Sequence, residues 1–286
     1  MKQTHIFLLI LIFLFSQDLS AISLGNHNKK FTPASKMSKS DWSDIDEMKR
    51  TWDSALVRIP KSDGAYSSNI MSDLNDQSVM VVQPLPTIIY LHGCAGVWAG
   101  THTRLNFLAK AGFAVIAPVS FARAKYPRSC DPESVQGGMY RGTLNMRQND
   151  AAYAIANAKQ LQWVDENNIF LMGHSQGGIT AATFKPTDKY LSVNARVIEG
   201  WTCHAGWSEY KGINAPVSEP VLALVGEHDP WFQSSWTRGN CGAYINKGNG
   251  SHSIVLSEGV LSARHELLED RDLQKTVVEF LHSHMR

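Results

Sequence analysis

One short stretch constrains this chain more than any other. Gly173-His174-Ser175-Gln176-Gly177 stands between the apolar run Asn168-Ile169-Phe170-Leu171-Met172 and the small-residue run Gly177-Gly178-Ile179-Thr180-Ala181-Ala182. The first run reads as a short buried strand and the second as the start of a tightly packed helix. A serine between glycines at such a junction marks a sharp strand-to-helix turn, in which the small neighbours let strand and helix approach closely. The turn would push the Ser175 hydroxyl out of the sheet and aim the next backbone N–H, that of Gln176, at a developing oxyanion. The competing reading is a structural turn serine.

Around this junction the pattern alternates between strand and helix. Thr87-Ile88-Ile89-Tyr90-Leu91, Phe113-Ala114-Val115-Ile116-Ala117, Ala195 to Gly200 and Pro220 to Val225 read as strands. Arg104 to Ala111, Thr143 to Val164 and Glu266 to His284 read as helices. Such alternation predicts an α/β fold with a mostly parallel sheet and helices on both faces. Asp41 to Gln83 contributes one or two edge strands, and Gly242-Ala243-Tyr244-Ile245 is expected to be the last strand.

The amino terminus has the layout of a secretory signal peptide. A short basic segment precedes the unbroken apolar run Ile6 to Phe15, and small residues follow, with cleavage expected after Ala21. The run is about ten residues, short of the roughly 20 that span a bilayer, so an uncleaved anchor is disfavoured. The expected organisation is a signal peptide over 1–21, a linker over 22–40 and one catalytic domain over 41–286. The expected location is secreted or periplasmic, without stable membrane insertion after cleavage. A formal net charge of +1 over 286 residues, with no long basic stretch, gives no reason to expect nucleic acid as a partner.

Export permits disulfides among Cys94, Cys130, Cys203 and Cys241. Cys94 lies in a loop assigned to the site and is a candidate to stay free. Cys130, Cys203 and Cys241 fall along one rim of the predicted sheet, where one bridge among them competes with buried thiols.

A serine hydroxyl needs a general base, and the base needs an orienting acid. In this class of fold the acid and then the histidine follow the serine in the chain. Asp229 leaves the apolar strand Val221 to Val225 and is the candidate acid, with Glu227 its competitor. For the base, His252 follows the predicted strand Gly242 to Ile245 through a glycine-rich loop. His265 takes the role if Ser253 to Leu256 is the true last strand. The loop His92-Gly93-Cys94-Ala95-Gly96 follows a strand and is a candidate source of a second oxyanion donor, the Cys94 amide. Trp98, Trp201, Trp207 and Trp231 lie beyond strand ends, where they could wall an apolar pocket or simply pack. Arg123, Lys125, Arg128 and Arg141 lie in or beside the irregular stretch Phe121 to Tyr140. They could form a basic cap that draws acidic acyl groups, or a solvated loop.

With Leu91-His92-Gly93-Cys94-Ala95-Gly96-Val97-Trp98, Gly173 to Gly178, Gly226 to Asp229 and Gly248-Asn249-Gly250-Ser251-His252 in hand, the chain from about Pro84 onward resembles the α/β-hydrolase superfamily. Within it the chain looks like the dienelactone-hydrolase-like proteins. The resemblance implies an eight-stranded, mostly parallel sheet and no metal or organic cofactor. It implies a triad of Ser175, His252 and Asp229, with the amides of Cys94 and Gln176 as the oxyanion hole. Two departures stand out. Dienelactone hydrolases carry a cysteine nucleophile where this chain has Ser175, and a glutamate in the loop where it has His92-Gly93-Cys94. Dienelactone is therefore not the expected substrate. The expected partner is a small-molecule ester, cleaved through an acyl-enzyme. A peptidase, an acyltransferase or a non-catalytic binding protein on the same scaffold are the alternatives.

Overall fold

The computed structural model describes residues 29–74 and 79–286. The expected signal peptide lies outside the described residues. From Lys29 onward the stretch expected as a linker docks on the domain. Thr32 N donates to the Tyr126 carbonyl at 2.8 Å, and the Phe31 ring meets Phe121 edge-on.

Among the described residues ten strands form, in chain order β1 (Leu56–Pro60), β2 (Tyr66–Ile70), β3 (Leu85–Leu91), β4 (Ala114–Ala117), β5 (Cys130–Asp131), β6 (Gln136–Gly137), β7 (Val164–His174), β8 (Arg196–Glu199), β9 (Val221–Gly226) and β10 (His252–Leu256). Five α-helices accompany them: α1 (Ile45–Asp53), α2 (Ala99–Lys110), α3 (Thr143–Ala158), α4 (Gln176–Thr183) and α5 (Arg271–Ser283). Eight strands make one sheet in the order β10-β9-β8-β7-β3-β4-β1-β2, and β5 and β6 make a separate hairpin. Every neighbour from β10 to β4 is parallel; β1 runs antiparallel to both β4 and β2.

The alternation of side chains along central strands explains why helices cover both faces. On β7, Phe170 and Met172 pack with Ile88 and Tyr90 of β3 under Leu105 and Leu108 of α2 and Val277 and Leu281 of α5. Ile169 and Leu171 point the other way and join Ile89 and Leu91 beneath Ala151, Ala154 and Ile155 of α3. Strands buried on both faces carry continuous apolar runs, as these do.

The strand order fixes where a ligand can sit. The chain leaves β3 toward β4 on one side, and β7 returns on the other side of β3. The connections leaving the carboxyl ends of β3 and β7 therefore diverge, and a crevice opens between them. The β3–β7 register ends with Leu91 beside Gly173, so the His92–Gly96 loop and Ser175 leave the sheet as neighbours.

Two expectations at the carboxyl-terminal side are corrected. Cys241–Ala243 is a short 3-10 turn, not a strand, because the Asn240 side chain accepts from the Gly242 N–H and coils the backbone. The last strand is β10, and it begins at His252 itself. The expected helix from Thr143 to Val164 also divides: α3 ends at Ala158, and Val164 already belongs to β7.

Candidate active site

Ser175 occupies the turn between β7 and α4 with φ 55° and ψ −120°. A non-glycine residue pays strain for that conformation and holds it only when its surroundings dictate it. Its own N–H donates to the Glu199 carbonyl at 2.8 Å, and its carbonyl accepts from Ile179 N at 2.9 Å. The flanking glycines are required by contact. A Cβ on Gly173 would strike the Gly177 carbonyl, and one on Gly177 would strike the Leu91 carbonyl. The serine hydroxyl consequently faces the crevice at the carboxyl edge of the sheet, where Ser175 and Gln176 line a cavity of about 490 Å³.

Asp229 is fully buried just past the end of β9. Its Oδ1 accepts from Trp231 N at 3.0 Å and starts the short turn Pro230–Phe232. Its Oδ2 lies 2.6 Å from Nδ1 of His265. The competitor Glu227 is exposed.

His252 does not reach this edge. It starts β10 opposite Leu222, near the beginning of β9, while the other end of β10 pairs Leu256 with Gly226. It is exposed at the amino edge of the sheet, on the far side of the strand from Asp229. The assignment of the base to His252 is therefore corrected. The histidine that meets the carboxylate is His265, delivered by the segment after β10 through the 3-10 turn Val260–Ala263.

Three rings surround the His265 imidazole: His174 at 4.9 Å, Trp231 at 5.4 Å and Phe232 at 5.6 Å between centroids. The Nδ1 proton is committed to Asp229. Nε2 is buried and has no hydrogen-bond partner among the described residues. That leaves the tautomer whose lone pair sits on Nε2, beside the residue that precedes Ser175. His174 itself is buried; desolvation lowers its pKa to about 3, so it stays a neutral packing ring.

Sequence reasoning missed a buried ion pair that holds the segment carrying His265. Arg104 of α2 clasps both carboxylate oxygens of Glu199 at the end of β8, with Nε to Oε2 at 2.6 Å. The same Glu199 Oε1 accepts from the amides of Leu267 at 2.8 Å and Leu268 at 2.9 Å. The loop just after His265 is thus fastened to the strand next to the serine. Nothing in the local sequence distinguishes Glu199 or Arg104 from surface charges, because their pairing joins residues 95 apart.

The His92–Gly96 loop is fixed by a second buried arginine. Arg147 of α3 donates to the His92 carbonyl at 2.5 Å and to the Gln176 side-chain oxygen at 3.3 Å. Ser129 Oγ donates to the same Gln176 oxygen at 3.2 Å. His92 turns inward, its Nδ1 donating to the Gly93 carbonyl at 2.7 Å and its Nε2 accepting from Ser120 N at 3.1 Å. Burial, and then the nearby Arg147 charge, lower its pKa to about 3. Among the described residues no backbone carbonyl accepts from the Cys94 amide. The Gln176 amide is the first of α4 and so has no intrahelical acceptor.

Cys94 is not free. It is bonded to Cys130, which ties this loop to the β5–β6 hairpin. Of the two readings left open for Cys130, Cys203 and Cys241, a bridge is the one that forms, between Cys203 and Cys241. Cys94 and Cys130 are joined because the hairpin folds back over the crevice, a long-range approach that spacing does not reveal.

The cavity is walled by Trp201, Trp207, Trp231 and Trp236. Trp98 is absent from the wall; its indole lies over Gly100 at the start of α2. Trp236 was not anticipated, since it sits in an irregular loop well beyond β9. Of the two readings left open for the basic residues in and beside 121–140, a cap of unpaired cations is not the one that forms. Arg123 is buried against Asp150, Lys125 pairs with Asp41, Arg128 with Asp131, and Arg141 with Glu209. Each cation is answered by a carboxylate before a ligand arrives. Among the described residues no group of three or more His, Cys, Asp or Glu side chains could hold a metal ion, and no helix is long and apolar enough to cross a membrane.

The sheet order, the strained serine turn at the switch between β3 and β7, and the helices on both faces define an α/β-hydrolase fold. Residues 77–261 match the dienelactone hydrolase family, and the chain belongs to that family. Among solved structures, it is similar to one described as a dienelactone hydrolase from Klebsiella pneumoniae subsp. pneumoniae, with 16% identity and a TM-score of 0.52 over 70% of this chain and 88% of that one. It is also similar to 2,6-dihydroxy-pseudo-oxynicotine hydrolase, with 12% identity and a TM-score of 0.52 over 81% of this chain and 64% of that one. At these identities the likeness is one of fold. No curated protein matches the sequence.

Proposed function

We propose that this member of a hydrolase family is a serine esterase that cleaves carboxylic esters by a Ser175–His265–Asp229 acyl-enzyme mechanism. The single observation carrying the reading is the His265–Asp229 hydrogen bond, with the opposite ring nitrogen buried and without a partner among the described residues, in a ring 4.9 Å from that of His174, the residue before Ser175. In the first step His265 Nε2 takes the Ser175 proton as the hydroxyl oxygen attacks the ester carbonyl. The Asp229 carboxylate holds the ring and stabilises the imidazolium. The amides of Cys94 and Gln176 receive the oxyanion; removing one such donor typically costs about 3 kcal/mol of barrier. The imidazolium then protonates the departing alcohol, and water activated by the same nitrogen releases the acid.

The export reading belongs to the same proposal. Its support is the amino-terminal sequence pattern together with two disulfides, a feature of oxidising compartments. Amino-terminal sequencing of the secreted or periplasmic protein should begin at Ile22; a product retaining Met1 would contradict it.

The catalytic reading is tested with a fluorophosphonate probe and a panel of p-nitrophenyl esters set against peptide amides. Labelling at Ser175, with ester turnover lost in Ser175→Ala by at least about a thousandfold, is the expected result. A folded protein that neither labels nor turns over esters would instead be a binding module.

A further inference from the structure

The cavity beside Ser175 carries no charge. Its eighteen lining residues include no Asp, Glu, Lys, Arg or His. Tyr210 is the one lining residue other than the bridged cysteines with a titratable side chain, and burial pushes its pKa up, so it stays neutral. The two nearby cations, Arg141 and Arg147, stand outside the lining. Arg141 is paired with Glu209 and also lies 5.1 Å over the Trp207 ring. Arg147 is committed to the His92 carbonyl and the Gln176 side chain. A carboxylate entering here would lose its water and meet no charged lining group, which is unfavourable.

The walls are flat rather than merely apolar. Trp201 is buried and packs edge-on against Phe232, with centroids 5.3 Å apart. Trp231 is tilted against the His265 ring. At the rim, Trp207 is 38% exposed and Trp236 is 70% exposed. Leaving two indoles in solvent around a pocket mouth is costly unless a ligand covers them. Trp207 is held in place: its ring edge meets Tyr210, with centroids 5.5 Å apart, and a Cβ on Gly138 would strike it. The Gly138 backbone continues the hairpin that Cys130 fastens to the site loop. A volume of about 490 Å³ lies within the range of small-molecule pockets.

We infer that the substrate class is an uncharged ester bearing a flat aromatic group, and that Trp207 and Trp236 select it at the pocket mouth. Ring-on-ring contact favours an aromatic over a saturated group of the same outline. The charge-free lining rejects the same ring once it carries a free carboxylate. The inference rests on the esterase reading for its chemistry, but not for its recognition.

Binding and turnover separate the two. Calorimetric titration of Ser175→Ala compares methyl 2-naphthoate, the monomethyl ester of naphthalene-2,6-dicarboxylate and methyl decahydro-2-naphthoate. The expected dissociation constant for methyl 2-naphthoate is at least about tenfold below that of either comparator. Equal or reversed affinities would overturn the inference. Turnover of the same three esters by the wild-type enzyme is the second measurement, with Trp207→Ala and Trp236→Ala compared on methyl 2-naphthoate and methyl acetate. Each substitution should lower kcat/KM for the naphthoate at least about fivefold more than for the acetate. Equal losses on both would overturn the role of the two indoles. Should no ester turn over and no probe label Ser175, the esterase reading falls, and the calorimetric ranking still decides recognition.

Discussion

Arg104 and Glu199 face each other with both carboxylate oxygens engaged, one of them 2.6 Å from the guanidinium Nε, and neither side chain touches solvent. The pair links α2 to the end of β8, and through the Leu267 and Leu268 amides it reaches the loop that carries His265. Burial pushes the Glu199 carboxyl up, but the Arg104 charge and the donors outweigh it and hold its pKa at about 2.

Substituting Glu199→Gln leaves a buried guanidinium without its counter-charge. The expected loss is about 3–5 kcal/mol of unfolding free energy. Ester turnover should fall too, because the segment holding His265 loses its anchor. Denaturant unfolding and steady-state kinetics on the purified variant check both; an unchanged unfolding midpoint would contradict the role given to the pair.

The Cys94–Cys130 bridge closes a loop across 36 residues of sequence separation and pins the candidate oxyanion loop to the hairpin over the cavity. The double substitution Cys94→Ser with Cys130→Ser should lower stability by about 2–4 kcal/mol. It should also lower kcat more than it raises KM, since the Cys94 amide is assigned to the transition state. Retention of wild-type kcat would remove that amide from the mechanism.

Acid should destabilise the fold well before its carboxylates protonate. His92 and His174 are buried and neutral, with pKa values near 3, against 6.5 when free in the unfolded chain. Between those values the unfolded state binds more protons, so stability is fully present above pH 6.5 and is lost as pH falls. From pH 7.5 to pH 5.0 each histidine should remove about 2 kcal/mol, at about 1.4 kcal/mol per pH unit below 6.5. Glu199 adds to the loss only as pH drops from about 4.5 toward about 2. Denaturant midpoints that match at pH 7.5 and 5.0 would contradict this.

Much of the site could be read from the chain because its signals are local. Gly173 to Gly178 dictates its own turn, and Asp229 follows an unmistakable apolar strand. The sheet was legible for the same reason, since strands buried on both faces declare themselves as apolar runs. The histidine that meets Asp229 was not legible in this way. Residues 242–245 look extended, but an Asn240 side chain coils them, and the five-residue strand at His252 gives too short a pattern to outrank them. That one displacement moved the histidine across the sheet. Arg104, Arg147 and Glu199 were invisible for a different reason. Buried charges are recognisable only by partners, and these partners lie far off in sequence. Trp236 and the Cys94–Cys130 pairing likewise depend on how two irregular loops fold over the crevice.

The central claim is that the ring beside Asp229 deprotonates Ser175, and two substitutions measured side by side test it most directly. His265→Ala should lower kcat/KM for a p-nitrophenyl ester by at least about a thousandfold. His252→Ala, at the opposite edge of the sheet, should stay within about twofold of wild type, as surface substitutions away from a site usually do. Near-normal activity in His265→Ala, or a comparable collapse in His252→Ala, would contradict the account.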